Sequence, residues 1–173
     1  MPRFLTDEVT KMIGAIGEPY TWPEPLDRSA IRRFVQATWE QKLAHTDEEW
    51  AHNSQYGALS APPAAVIRPP FGFWDRGMLG EAAIPPVHIP GTTRGVNGGN
   101  EAEWFRPLRE GDTITQQSRV ADIFEREGRS GPFAAVVAET VFTNQEGQLV
   151  AVSRQVTIPV SYTHLTLPTN REV

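Results

Sequence analysis

The sequence predicts an α+β domain in which helices come first and an antiparallel sheet follows. Three observations carry this. Apolar residues at helical spacing are confined to the first quarter of the chain, the second half turns to β-rich runs, and the last two of those runs are separated by a turn of hairpin length. At 173 residues the chain suits one domain of ordinary size. It is too short for a (β/α)₈ barrel.

The elements follow in order. Residues 5–16 read as a helix, with Thr6 as N-cap, Asp7 and Glu8 in the first turn, and Val9, Met12, Ile13 and Ile16 on one face. Gly17 is expected to end it. Pro19, Pro23 and Pro25 make the next stretch extended, because each fixes its own φ and restrains its predecessor. Asp27 caps a second helix over residues 28–39, whose Ile31, Phe34, Val35 and Thr38 fall on one face. Residues 40–63 read as irregular, with a short helix over 47–52. Residues 64–68 form a brief apolar turn of helix. Residues 71–99 are dense in Gly and Pro, and predict a long loop of the kind that lines a site. Gly95, Gly98 and Gly99 within it read as turn residues.

Strands are expected over residues 100–105, 113–124, 133–143 and 149–158. Their separators are 107–112, 125–131 and 144–147, with Gly147 suited to positive φ. Val150, Val152, Val156 and Ile158 alternate, interrupted by Arg154, so the last strand is expected to bury that face. Trp39, Trp50, Phe71, Phe73 and Trp74 read as core or channel wall.

Residues 160–170, VSYTHLTLPTN, resemble the conceptual translation of a transposase-type sequencing adaptor. The domain is therefore expected to occupy residues 1–159, with 160–173 a non-native tail and the natural chain continuing past Pro159. His164 then has no role.

Composition excludes several functions. Lys and Arg number 16 against 21 Asp and Glu, a net charge of −5, which argues against a nucleic-acid partner. There is no Cys, hence no disulfide, thiolate metal site or cysteine nucleophile. His45 and His52 lack a third ligand, so no metal is expected. No apolar run approaches the roughly 18–20 residues of a membrane helix, so no membrane partner is expected and the predicted location is cytoplasmic.

Three separated segments carry a family resemblance. Residues 34–63 read FVQATWEQKLAHTDEEWAHNSQYGALSAPP, residues 104–112 read WFRPLREGD, and residues 142–149 read FTNQEGQL. In that order they resemble the MaoC-like (R)-specific enoyl-CoA hydratase and 3-hydroxyacyl dehydratase family. Its patterns are A-T-G-D-x-N-P-[LI]-H-x-D with a following H-G, F-x-x-P-[LV]-x-x-G-D, and T-N-x-x-G-x-L. The resemblance covers roughly residues 5–158 and implies a single hotdog fold, a sheet wrapped around a central helix.

The implied chemistry is addition or removal of water at a 2-enoyl thioester. That needs a base for the water, a proton for the α-carbon and a donor for the thioester oxygen. The resemblance places Glu40 on the family's catalytic Asp and His45 on its His, five positions apart. It implies substrate contacts at Tyr56, Gly57, Leu59, Ala61, Pro62 and Trp104, with coenzyme A entering only as part of the substrate and no other cofactor.

The pattern is degenerate around these positions. Trp39 replaces a Gly, Lys42 the Asn and Leu43 the Pro. Glu is one methylene longer than Asp, and a misplacement of about 1 Å can cost ~10²-fold. The family His-Gly at the oxyanion position becomes Ala61-Pro62, and proline has no N–H to donate; losing one such donor typically costs about 10²–10³ in rate. The A-P-P variant resembles the non-catalytic hotdog half of the family. The expectation is thus an acyl-CoA-binding half of a hydratase paired with a second MaoC-like hotdog subunit or domain, as homo- or heterodimer.

Two alternatives stand beside it: a self-sufficient hydratase using Glu40 and His45, and a non-enzymatic acyl-CoA-binding module. A hotdog thioesterase is disfavoured, because residues 64–68 carry no carboxylate. Without the resemblance, Glu40 and His45 read as a helix-end carboxylate and a solvent-facing imidazole. Arg94, Arg106 and Arg109 read as surface residues, or as contacts to coenzyme A phosphates at a dimer face.

Overall fold

The computed structural model describes residues 4–67, 84–129 and 131–161. Within them the chain runs α1 (Asp7–Thr10), β1 (Tyr20–Thr21), α2 (Arg28–Thr38), α3 (Leu43–Thr46), α4 (Glu48–Asn53) and β2 (Ser60–Ala61). A 3-10 turn (Pro63–Val66) follows, then β3 (Arg94–Trp104), β4 (Leu108–Arg109), β5 (Thr115–Gly128), β6 (Gly131–Thr143) and β7 (Leu149–Val160). The main sheet has strand order β1-β5-β6-β7-β3, antiparallel throughout, and β2 pairs with β4 in a small second ladder. The α+β expectation holds.

Caps and turns behave as their residue types dictate. The Asp27 carboxylate accepts from the Ala30 N–H, and the Thr6 hydroxyl from the Val9 N–H, so both helices begin where the sequence places them. Gly147 takes φ 73° in the β6–β7 hairpin and donates to the Asn144 carbonyl at 2.9 Å. Gly111, at φ 90°, turns the chain into β5.

The first helix is much shorter than 5–16. Gly14 turns at φ 89°, and the Gly14 and Gly17 N–H groups donate to the Val120 and Ser118 carbonyls of β5. The open edge of β5 thus wins this backbone from the helix, which leaves Ile13 and Ile16 exposed. β3 starts at Arg94, six residues before the expected strand. Gly95 and Gly98 are strand residues rather than turn residues. A Cβ at Gly95 would meet Thr157 Cγ2 at 2.5 Å, and one at Gly98 would meet the Ile158 side chain at 3.0 Å, so glycine permits the close approach to β7. β5 and β6 also run further than expected, to Gly128 and from Gly131, because the ladder continues through the charged residues 125–127. Phe71, Phe73 and Trp74, with the rest of residues 71–83 of the expected long loop, lie outside the described residues.

Helices and loops pack on one face of the sheet. Ala30, Ile31 and Val35 of α2 meet Trp22, Leu26, Ile114, Phe142, Val150 and Ala151 in one cluster. Val9 and Ile89 meet Val120, Ile123, Ala134 and Val136 in a second. Ile31 is fully buried, a setting in which truncation to Ala costs about 2–5 kcal/mol. Only Val150 of the four alternating β7 residues belongs to this core. Val152, Val156 and Ile158 are half-buried on the opposite face, so the alternation is real but marks the outer side of the sheet. Trp39 and Trp50 are also not core, at 82% and 43% exposure.

Candidate functional site

The loop after α2 begins with a backbone reversal. Trp39 adopts φ 56°, ψ 29° and its N–H caps the helix on the Val35 carbonyl. That left-handed conformation is the one glycine adopts freely, and Trp39 stands where the family pattern has Gly. Glu40 follows immediately, and its Oε1 accepts from the N–H groups of Gln41 (3.0 Å) and Lys42 (3.3 Å). The Lys42 ammonium lies 3.7 Å from Oε2. Partial desolvation pushes the Glu40 carboxyl up, but the Lys42 N–H and ammonium, the Gln41 N–H and the nearby His45 outweigh it and hold the group below the usual 4.5. A carboxylate engaged by its own turn and held at low pKa is a weak base.

His45 lies in the last turn of α3 and is 6% exposed, so it is not the solvent-facing imidazole its sequence context suggests. Its Nδ1 lies 2.7 Å from the Ser60 carbonyl. A carbonyl can only accept, so Nδ1 carries the proton and the lone pair of the neutral ring is on Nε2. The Ser60 hydroxyl in turn donates to the Ala44 carbonyl at 3.1 Å. These bonds pin α3 to β2. Pairing of Ser60 with Arg109 and Ala61 with Leu108 then brings the residue 104–112 segment against the residue 34–63 segment. The Trp104 indole N–H closes the corner on the Pro63 carbonyl at 2.9 Å.

A cavity of about 100 Å³ opens at this corner, lined by His45, Tyr56, Ala61 and Trp104, with Lys42 and Arg106 also on its wall. It has room for a few non-hydrogen atoms, against the roughly 300–1,000 Å³ of pockets that enclose a whole ligand. Leu59 is buried and lines a second cavity, of about 320 Å³, with His45, Val35 and Arg32. His45 therefore separates the two spaces. Gly57 shapes the turn after α4 at φ 71°. Pro62 precedes the 3-10 turn and accepts the Ala65 N–H. Of the expected contacts, the structure gathers Tyr56, Ala61 and Trp104 around His45, and sets Gly57, Leu59 and Pro62 outside that cavity. Glu40 lines neither cavity and shares no hydrogen bond with His45.

Pro62 and Pro63 together leave the start of the 3-10 turn without two backbone donors. Sequence reasoning missed Ser60, whose partner His45 is fifteen residues away, so no local pattern marks it. Arg106 has no local mark in the sequence beyond its charge, and its place beside Lys42 depends on the β2–β4 pairing. Among the described residues no cluster of His, Asp or Glu could hold a metal ion. None of their helices is long and apolar enough to cross a membrane.

Comparison with known proteins bears on the fold and the family. A "UPF0336 protein" of Streptomyces avermitilis is 30% identical over 105 residues, covering 61% of this chain and 67% of that one. Among solved structures, a MaoC-like dehydratase from Rhodospirillum rubrum aligns with TM-score 0.62 at 22% identity, over 88% of this chain and 94% of that one. A chain of the ChsH1-ChsH2 complex from Mycobacterium tuberculosis aligns with TM-score 0.73 at 14% identity, over 95% and 96%. The curled antiparallel sheet with its few helices is thus the hotdog fold of MaoC-like dehydratases. A model of the FAS1-like dehydratase domain region matches residues 12–153, and the chain belongs to that family.

Proposed function

We propose that this chain is the acyl-thioester-binding half of a 2-enoyl-CoA hydratase / 3-hydroxyacyl-CoA dehydratase, and that a second hotdog subunit or domain supplies the water chemistry. The observation that carries this reading is Pro62-Pro63 at the head of the 3-10 turn. Charge that develops on a thioester oxygen there would meet no N–H from either residue. Glu40 adds to it, since its carboxylate is engaged by its own turn rather than shared with His45. The small cavity at Tyr56, Ala61 and Trp104 offers an apolar wall for part of an acyl group, with Lys42 and Arg106 beside it for an anion. Coenzyme A enters as part of the substrate, and the reading requires no other cofactor.

A partner has a place to add. The edge of β5 is covered by residues 14–21, whereas β3, the other edge strand, pairs only with β7 among the described residues. A second hotdog placed there would enlarge the small cavity without new secondary structure. One structural relative is itself part of a two-component complex, ChsH1-ChsH2.

The self-sufficient reading keeps one specific support, the His45 tautomer that leaves Nε2 free as a base. The two separate cleanly. The purified chain is mixed with crotonyl-CoA, alone and with a MaoC-type partner, and loss of the enoyl-thioester absorbance is followed. Binding without turnover by the chain alone, and turnover in the mixture, are expected. Turnover by the chain alone, abolished by His45→Asn, would overturn the proposal.

A further inference from the structure

On its two central strands the outer face of the main sheet is apolar where a solvated face should be polar, while its flanking strands carry Gln117, Asp122 and Glu103. In a sheet with helices on one side, residues pointing away from them normally meet water and are hydrophilic. Here the outward positions of β6 include Val137 and Val141, and those of β7 include Val152, Val156 and Ile158, all half-buried. The inward row beside them is the polar one, with Ser118 bonded to Thr140 at 2.7 Å and Ser153 next in register. Valines and isoleucine gathered on two adjacent strands mark a face that something covers.

A charge row crosses this patch. Register places Arg119 of β5, Glu139 of β6, Arg154 of β7 and Glu101 of β3 side by side on the outer face. Glu139 is only 7% exposed and takes the Nε–H of Arg119 and of Arg154, both at 2.8 Å. The guanidinium groups remain half exposed, and so does the capacity of their remaining N–H groups. The order is plus, minus, plus, minus. Read in reverse, it is its own complement.

We infer that this face packs against the same face of a second copy of the chain, about a twofold axis running along the strands between β6 and β7. That operation lays β5 over the partner's β3 and β6 over the partner's β7. Arg119 then meets the partner's Glu101, Glu139 meets the partner's Arg154, and Val137 meets the partner's Val156. Every charge in the row finds its opposite, and the valines on both sides of the row close on one another. A twofold axis perpendicular to the strands would instead set like charges together, so the row selects one orientation. Twisted sheets packed face to face in this way keep their strands within about 30°, and the row crosses the patch near its middle. The contact is a side-chain face and leaves the main-chain edge of β3 open, so it is independent of any hotdog partner added there.

Sedimentation velocity of the full chain over a concentration series, in low and high salt, tests this. The wild type is expected to associate, and more weakly as salt rises. Val156→Glu buries a charge in the apolar centre and is expected to halve the particle mass at a given concentration. Glu101→Arg places like charges opposite Arg119 and is expected to weaken association at least about tenfold. Thermal melts followed by circular dichroism establish that each variant is folded. Should Val156→Glu fail to fold, the exposed Glu101 position decides alone. A monomeric wild type, or wild-type mass retained by either folded variant, overturns the inference.

Discussion

Glu40 and Glu139 are both held below the ordinary carboxylate range, by opposite means. Glu40 is held by its own turn, through the N–H groups one and two residues on and the Lys42 ammonium. Glu139 is held by the side chains of two neighbouring strands, first Arg119 and then Arg154, against the burial that would raise it. The first arrangement ties a carboxylate to its loop and so takes it away from His45. The second ties three strands together. Sequence spacing points to Glu40 for chemistry, and the geometry gives the structural weight to Glu139.

Substitution should separate the two. Glu139→Ala removes the carboxylate that the Arg119 and Arg154 guanidinium groups share, and is expected to destabilise the fold by about 2–3 kcal/mol. That lies below the roughly 3–5 kcal/mol of a fully buried pair, because the arginines are half in water. A urea titration measures it. The sign with pH follows from the lowered carboxyl. Its contribution is complete above the unfolded value near 4.5 and is lost as pH falls through the lower folded value. The stability gap between wild type and Glu139→Gln should therefore stay constant from neutral pH down to about 4.5 and narrow below it.

Trp39→Gly is expected to act in the opposite direction. It removes a non-glycine residue from the left-handed region while losing a side chain that is 82% exposed, a gain of about 1 kcal/mol. Denaturant midpoints will show it, and a loss of stability would mean that Trp39 packs on something. Glu40→Gln is expected to have the smallest effect, no measurable change in midpoint, since the amide oxygen can still accept from the turn.

Much of the fold was legible because it is written locally. Asp27 and Thr6 cap their helices by bonds to residues three positions on, and Gly147 turns its hairpin within four residues. Errors fell where distant backbone competed. Residues 14–17 have helical spacing but join the edge of β5, and Gly95 and Gly98 look like turn residues until β7 is placed against them. The valine alternation in β7 was visible, yet which side of the sheet it faces is decided by helices elsewhere in the chain. The candidate site divides likewise. His45 was marked by family spacing, while Ser60, which fixes its tautomer, becomes a partner only through the fold.

The central claim is that this chain holds the thioester while another hotdog performs the chemistry. Its most direct test is kcat of the reconstituted pair with Glu40→Gln and His45→Asn combined in this chain; the asparagine amide can still donate to the Ser60 carbonyl, which keeps the loop in place. A kcat within about twofold of wild type is predicted. A fall of about 10²-fold or more, the usual cost of removing a general base, would place the chemistry in this chain and contradict the account.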